Sequence, residues 1–597
     1  MKISLKHVWW CCEAALFLFA LFFLGIYNGD YLYRLQAENL FLGNSVFAGE
    51  TLPQSAGVLV YVSKWLLQLS YYPLLGAGVA AAGLVGVERL LAVLVGVRSY
   101  TRLLVGFIPP LFLLMAQSSA GYAVYENFDT SFFVSLELGL LLSLLLALVG
   151  DRLIRRNEKV GFAVSAVLAV VFHLLIGIYA PVSLLLIGAT RWTTERSKAV
   201  KLFVVGLVVA LLVPVLETSI YQENYSFVLL APLPVPYFFN VFAYGLMAII
   251  SAVLVSALNA DFTVERLEKM PVVAGSLVVL FALSFFFSYR DANCRTIYKM
   301  QRCSDFHDWD GVLAAANKVE RPTRSIAAYR YVALLETDKL SEQLFNFPVR
   351  YDTLNSPYSN LDPLIFYPDL FFYSSQLNMA TFWGMEAWTN VHRSVSTLKR
   401  FATTALIQGE KEVALKYLGQ LKQTMCYSSW AEEVEKYAGN QQAFFNAYPI
   451  YGETYASQIP ESILSGTYDL PSLFSSFTNL DPVNMERRML LELYTKRTEQ
   501  FMDDLKIVQN MYKQQMPVCM QEVVCLYALN TKLDVRRLFP ISPEVNTRVA
   551  NFVYQARNYA NDPENGAEAL KDYKGMYVYY LLFGNPYPSA ANLKTRK

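Results

Sequence analysis

The chain has 597 residues, of which 54% are apolar and only 17% charged, and its net charge is +1. Soluble domains carry about 25% charged residues, so a wholly soluble fold is excluded. A balanced charge with no sustained basic face also excludes nucleic-acid binding. The apolar residues concentrate between Val8 and Tyr289, whereas Lys, Glu, Asp, Asn and Gln run throughout the sequence from Arg290 onward. The expected architecture is all-α: a polytopic transmembrane helix bundle over residues 1–289, then a soluble helical domain over 290–597.

Lys2 and Lys6 precede an apolar run from Val8 to Tyr27 that only Glu13 interrupts. No small-residue cleavage site follows at Asn28-Gly29-Asp30, so the run reads as an uncleaved signal-anchor helix. A hydrocarbon core about 30 Å thick needs about 20 residues of helix. On that measure spans fall near 8–27, 74–96, 102–122, 131–150, 161–179, 202–217, 236–257 and 271–288. Gly161 to Ala189 is too long for one helix and too short for two. Gly177, Tyr179 and Pro181 predict a break there, with a short return segment at 180–190 that other protein must cover. The total is then eight or nine crossings. Between the first two spans, Gly57 to Ser70 carries Lys64 and Gln68 at i,i+4 beside Trp65, Tyr71 and Tyr72. This predicts an amphipathic surface helix near 55–70, with a spanning helix as the alternative.

Charge sets the orientation. With the N-terminus inside, fourteen Lys and Arg residues fall on the inner side, while the outer connections hold only Arg34 and Lys64. That is the positive-inside pattern. It places the N-terminus in the cytoplasm and the C-terminal domain outside, in the periplasm of a Gram-negative cell. The expected location is the bacterial inner membrane.

The soluble half shows helical periodicity and little strand alternation. Leu398 to Leu421 places Ala402, Ala405, Gly409, Ala414, Tyr417 and Leu418 in a pattern resembling a tetratricopeptide (TPR) helix pair. A weaker pair runs from Trp309 through Ala327, Ala328 and Tyr329. Helices near 484–512, 518–530, 544–558 and 565–583 continue a TPR-like array of irregular period. Tyr351 to Leu370, with Pro357, Pro363 and Pro368, reads as an aromatic, Pro-rich loop. Seven cysteines are present; Cys294/Cys303 and Cys519/Cys525 bridge in an oxidising compartment or else stay as free buried thiols.

The four histidines, His7, His173, His307 and His392, have no ligand-like spacing, and no phosphate-loop, dinucleotide or nucleophile-elbow motif occurs. His173 is an intramembrane polar group, read first as a structural hydrogen-bonding residue. The chemistry-bearing candidates are acids of the outer connections. Asp30 follows the first span, and Glu126 and Asp129 sit in the Tyr-Glu-Asn-Phe-Asp-Thr link between the third and fourth. Glu38, Glu50, Glu217 and Glu223 lie in other outer segments. Carboxylates at a membrane surface serve as general bases or hold a divalent cation against a phosphate leaving group; polar loops also carry acids by chance.

The order of features over residues 1–150 resembles the C-type glycosyltransferases, multi-pass enzymes that use lipid-phosphate-linked sugars. Asn28-Gly29-Asp30 after the first span and Glu126-Asn127-Phe128-Asp129 before the fourth carry the likeness, without forming a strict paired-acid motif. The resemblance implies Asp30 as a base or acceptor-orienting acid, and Glu126 or Asp129 as a second acid or metal ligand. Tyr71-Tyr-Pro-Leu-Leu-Gly-Ala77 and the helical tail also resemble an uncharacterised family of multi-pass envelope proteins of Gram-negative bacteria, which implies no activity. Two functions follow as expectations. One is a glycosyltransferase-like enzyme acting on a polyprenyl-phosphate-linked donor at the outer face. The other is a non-catalytic scaffold whose TPR-like domain binds a periplasmic protein partner. A transporter is a third possibility, disfavoured because few charges other than Glu13 and Glu137 lie inside the spans and no inverted repeat is evident.

Overall fold

The structure is a computed structural model that describes residues 5–126, 129–258, 262–320, 322–346, 362–391, 393–456, 482–494, 496–531 and 535–584. Among these residues every regular element is helical. The chain divides into two compact units. The first holds Met1–Asp291 together with Trp388–Ala402 and Glu412–Lys436; the second holds Ala292–Ala387, Thr403–Lys411 and Tyr437–Lys597.

Among the described residues of the first unit eight helices are long and apolar enough to cross a membrane: Leu5–Tyr27, Pro73–Val95, Tyr100–Gln117, Phe132–Arg156, Glu158–Ile176, Arg196–Tyr221, Phe239–Ala257 and Met270–Phe287. The chain is a multi-pass membrane protein. We number its helices α1 (Leu5–Ala20), α2 (Gly29–Ala37), α3 (Ser45–Thr51), α4 (Gly57–Leu67), α5 (Pro73–Val95), α6 (Tyr100–Gly106), α7 (Ile108–Gln117), α8 (Phe132–Arg156), α9 (Glu158–Ile176), α10 (Tyr179–Arg191) and α11 (Arg196–Tyr221). The third span differs from expectation. Pro109 and Pro110 break it into α6 and α7, because proline at a helix start lacks the N–H a continuous helix would need. It therefore stops at Gln117, not 122.

The short return segment exists as α10. Gly177, at φ +60°, turns the chain at the end of α9; a side chain there would collide with the Ala231 carbonyl. Thirteen residues rise only about 20 Å, less than a bilayer core, but eleven of them are buried within the bundle. Its start is tied to the Ala231 carbonyl through Ile178 N–H (3.0 Å), and its end to Asp151 through Arg191 (2.6 Å). It therefore runs from one end of the bundle to the other. The Arg191 end is basic: Arg155 and Arg191 share Asp151, Lys198 reaches Glu158 at 3.0 Å, and Arg102 donates to the carbonyls of Val95 and Gly96.

The opposite end carries α2, α3 and α4. Tyr31 of α2 donates to the Gln117 carbonyl at 2.8 Å, closing α2 onto the end of α7. The predicted surface helix is α4, whose Gly57, Leu59, Ser63 and Leu67 are buried against the bundle while Trp65 stays exposed. At this same end Gly43 N–H donates to the Gln423 carbonyl (2.9 Å), and Met425 N–H to Gln68 Oε1 (2.8 Å).

The second unit is helical throughout its described part. Helices Trp309–Ala316 and Arg324–Glu336 form the predicted pair. The stretch expected at 484–512 is two helices, Pro482–Tyr494 and Thr498–Ile507, separated at Lys496 with φ +61°. One core gathers Cys525, Val549, Phe552, Leu570, Met576, Val578 and Tyr579. Glu522 is buried beside it and accepts the Tyr577 N–H at 2.6 Å. The TPR-like segment, most of which belongs to the first unit, forms helices Val395–Gln408 and Lys411–Leu421 joined at Gly409 (φ +74°). The Phe401 and Tyr417 rings lie 5.4 Å apart. Of the Pro-rich stretch, residues up to 361 lie outside the described part. From Asp362 onward the chain is helix, not loop, through Tyr373.

All seven cysteines are free thiols. Cys294 and Cys303 share one helix, as do Cys519 and Cys525. Nine and six residues of helical rise, about 13 and 9 Å, exceed what a disulfide spans.

Candidate functional site

At the α2–α4 end of the first unit a cleft of about 290 Å³ is lined by Glu38, Asn39, Leu40, Phe47, Glu50, Thr51, Gln54, Lys64, Asp129, Thr130 and Arg393. Local sequence explains how these side chains are held. Asn44 caps α3 by accepting from Phe47 N–H (2.7 Å), which fixes the turn presenting Phe47, Glu50 and Thr51. Asn39 donates from its side chain to the Lys64 carbonyl (2.9 Å), pinning the last turn of α4 against the chain leaving α2. Arg34 binds Glu38 one turn later and stacks over the Tyr125 ring at 5.2 Å. Val395 N–H donates to the Asn39 carbonyl (3.2 Å), which seats Arg393 at the rim just ahead of a helix that Ser394 caps.

Two cation–carboxylate pairs face the cleft. Lys64 Nζ lies 3.4 Å from Asp129 Oδ2, and Arg393 lies 3.2 Å from Glu50 Oε2. Asp129 Oδ1 also accepts Ser131 N–H at 2.9 Å. Burial alone would raise the Asp129 carboxyl, but the Lys64 ammonium and the Ser131 donors outweigh it and hold it below the usual carboxylate range. Both ion pairs are partly exposed, so an incoming anion can take over either cation at small cost. The arrangement suits a ligand bearing phosphate: two cations in reach, amide and hydroxyl donors at Asn39, Gln54, Thr51 and Thr130, and an ionised carboxylate beside them.

Of the three acids singled out in the sequence, Asp129 alone lines this cleft. Asp30 lies in the first turn of α2, and Glu126 ends the short turn Gly121–Tyr125, where partial burial raises its carboxyl. Asn127 and Phe128 lie outside the described residues. Among the described residues no three His, Cys, Asp or Glu side chains come together to hold a metal ion.

The chain belongs to a family of unknown function (DUF6057). The match covers residues 4–584, and so both units. No curated protein and no solved structure matches the chain.

Arg393 escaped the sequence reading because it lies in the helical half, with no motif to tie it to Glu50. Lys64 was visible as the cation of the surface helix, but its partner could be named only once α4 was seen to lie over the start of α8. Glu217, grouped in the sequence with the outer acids, is buried. Its Oε1 lies 2.7 Å from His173 Nδ1 and its Oε2 accepts from Ser55 at 3.3 Å. His392 lies outside the described residues.

Proposed function

We propose that this protein is a membrane-embedded transferase that draws a group, such as a sugar, from a polyprenyl-phosphate carrier in the Lys64–Asp129 cleft. The reading rests on one observation: an ionised carboxylate and two displaceable cations share a polar cleft at one end of a helix bundle. In it, Asp129 takes the proton of the acceptor hydroxyl as that oxygen bonds to the transferred carbon. The carbon–oxygen bond to phosphate breaks, and Lys64 and Arg393 receive the charge that develops on the departing phosphate. The basic opposite end supports a cytoplasmic orientation for that end. The cleft then faces the outer side of a bacterial inner membrane.

The scaffold reading treats the bundle as an anchor. It gives no role to a cleft that the distant Arg393 completes, so the enzymatic reading is favoured. The test is turnover of a labelled polyprenyl-phosphate sugar by the purified full chain in nanodiscs, with release of polyprenyl phosphate as the readout. Lys64→Ala and Arg393→Ala should each weaken donor binding about tenfold, a loss of about 1.4 kcal/mol, and Asp129→Asn should abolish transfer while still binding donor. Full transfer by Asp129→Asn would remove the proposed base and with it the reading.

A further inference from the structure

The basic end of the bundle carries more cations than its carboxylates engage. Residues 151–159 and 191–201 hold eight Lys and Arg residues against three acids. Asp151 takes Arg155 and Arg191, both at 2.6 Å, while Glu158 and Glu195 both take Lys198, at 3.0 and 2.9 Å. Arg152, Arg156, Lys159, Arg196 and Lys201 are left exposed, with no carboxylate partner among the described residues.

Two of these cations flank one seam. The Lys198–Glu158 contact joins α9 to α11 at this end, and the buried His173–Glu217 contact (2.7 Å) joins the same helices near the other. Each residue of a helix is turned about 100° from the one before it, so the contacts fix how each helix faces. On α9, Gly161 and Ser165 meet α8, whereas Glu158 and His173 meet α11. Lys159, Ala163 and Ala166 therefore stand on the outer flank of α9 that borders α11. On α11, Leu202 and Gly206 meet α10, whereas Lys198 meets α9. Lys201, Val205 and Val208 therefore stand on the flank that borders α9. The mouth of the seam thus has one unpaired ammonium on each wall, in the first turn or two of a spanning helix. Below them lie short apolar side chains that are exposed or half-buried.

A dissolved anion would engage only the ammonium groups. A ligand that uses both parts is an anion carrying a hydrocarbon chain. We propose that the α9–α11 seam binds an anionic phospholipid, with its phosphate between Lys159 and Lys201 and one acyl chain along the alanines and valines below. The ammonium groups supply charge-assisted donors to phosphate, and small side chains let the chain approach the helix backbones. Nearby, exposed Trp192 carries Arg196 over its ring at 5.1 Å, an aromatic–cation pair suited to the headgroup level. The site lies at the opposite end of the bundle from the Lys64–Asp129 cleft and stands independently of the transferase reading.

The purified full chain, stripped of lipid in detergent and titrated with dioleoylphosphatidylglycerol, tests this by native mass spectrometry. Each basic residue near a membrane surface contributes about 1 kcal/mol to anionic-lipid binding, so wild type should prefer this lipid to dioleoylphosphatidylcholine by about tenfold or more. Lys159→Gln combined with Lys201→Gln should remove that preference. It changes only exposed side chains, so its melting temperature without lipid should match wild type. Lys269→Gln, at an exposed cation before a different spanning helix, should bind as wild type does. Ala166→Phe, which fills the seam and leaves every charge in place, should also weaken binding. Glycerol 3-phosphate, the headgroup anion without chains, should not displace the lipid at equal concentration. Equal binding of the two lipids, an undiminished preference in the double variant, or displacement by glycerol 3-phosphate overturns the proposal.

Discussion

The ammonium of Lys64 and the carboxylate of Asp129 meet across the cleft at 3.4 Å, with the two side chains 25% and 49% exposed. Exposed pairs of this kind contribute about 0–1 kcal/mol. Lys64→Ala and Asp129→Asn should therefore shift the thermal midpoint in detergent by no more than about 4 °C. The folded Asp129 carboxyl titrates below its unfolded value of about 3.9. Its contribution is complete above that pH and is lost only as the pH falls through the lower folded value. Donor binding measured between pH 5 and 8 should not vary on its account. The exchange Lys64→Asp with Asp129→Lys should keep the fold but not the binding, since it moves the ammonium to the wrong wall.

His173 and Glu217 behave differently, because both side chains are excluded from solvent. Removing one member of a buried pair costs about 3–5 kcal/mol by stranding the other. His173→Ala and Glu217→Ala should each lower the unfolding midpoint strongly. The double replacement by Leu should cost less than the sum. A double-mutant cycle by thermal unfolding in one detergent measures the coupling.

Gly83 allows α5 and α8 to approach where Glu137 stands. Gly83→Ala should cost about 1–3 kcal/mol, the usual penalty of overpacking. Glu137→Ala in the same chain should recover part of it, because the clash is with that carboxyl. Unfolding midpoints of the two single variants and the double variant decide the matter; equal costs with and without Glu137 would refute the contact.

In the second unit, burial pushes the Glu522 carboxyl up to about 8, against the opposing pull of the Tyr577 and Val578 N–H donors. The unfolded chain releases this proton near pH 4.3. The native state holds a proton that the unfolded state has lost, so the stabilisation is full below about 4.3 and drains away as the pH rises toward 8. Glu522→Gln keeps an acceptor for the Tyr577 N–H and removes the titration. It should match wild type near pH 4 and exceed it increasingly from there to pH 8 in thermal melts.

Much of the bundle could be read from the chain because spanning segments announce themselves locally. Hydropathy located the eight long helices, and the break at Gly177 with the return helix after it followed from a segment of awkward length. The break at Pro109-Pro110 was equally present in the sequence and was passed over, since hydropathy averages across it. The cleft was less accessible. Asp129 was named for standing in a short acidic link, but Glu126 of the same link and Asp30, named for following the first span, do not line it. What separates them is which side chains α3 and α4 bring opposite, a question of tertiary packing. The tail segment that supplies Arg393 looked like part of a soluble repeat because its small-residue pattern is the same whatever it packs on.

That segment also sets an order of events during synthesis. The last membrane helix ends at Phe287, and Arg393 leaves the ribosome long afterwards. A nascent chain can therefore insert its whole bundle while one wall of the cleft is still untranslated. A product truncated just after the final membrane helix would carry an integrated bundle whose cleft lacks Arg393 and the Gln423 and Met425 contacts of the tail.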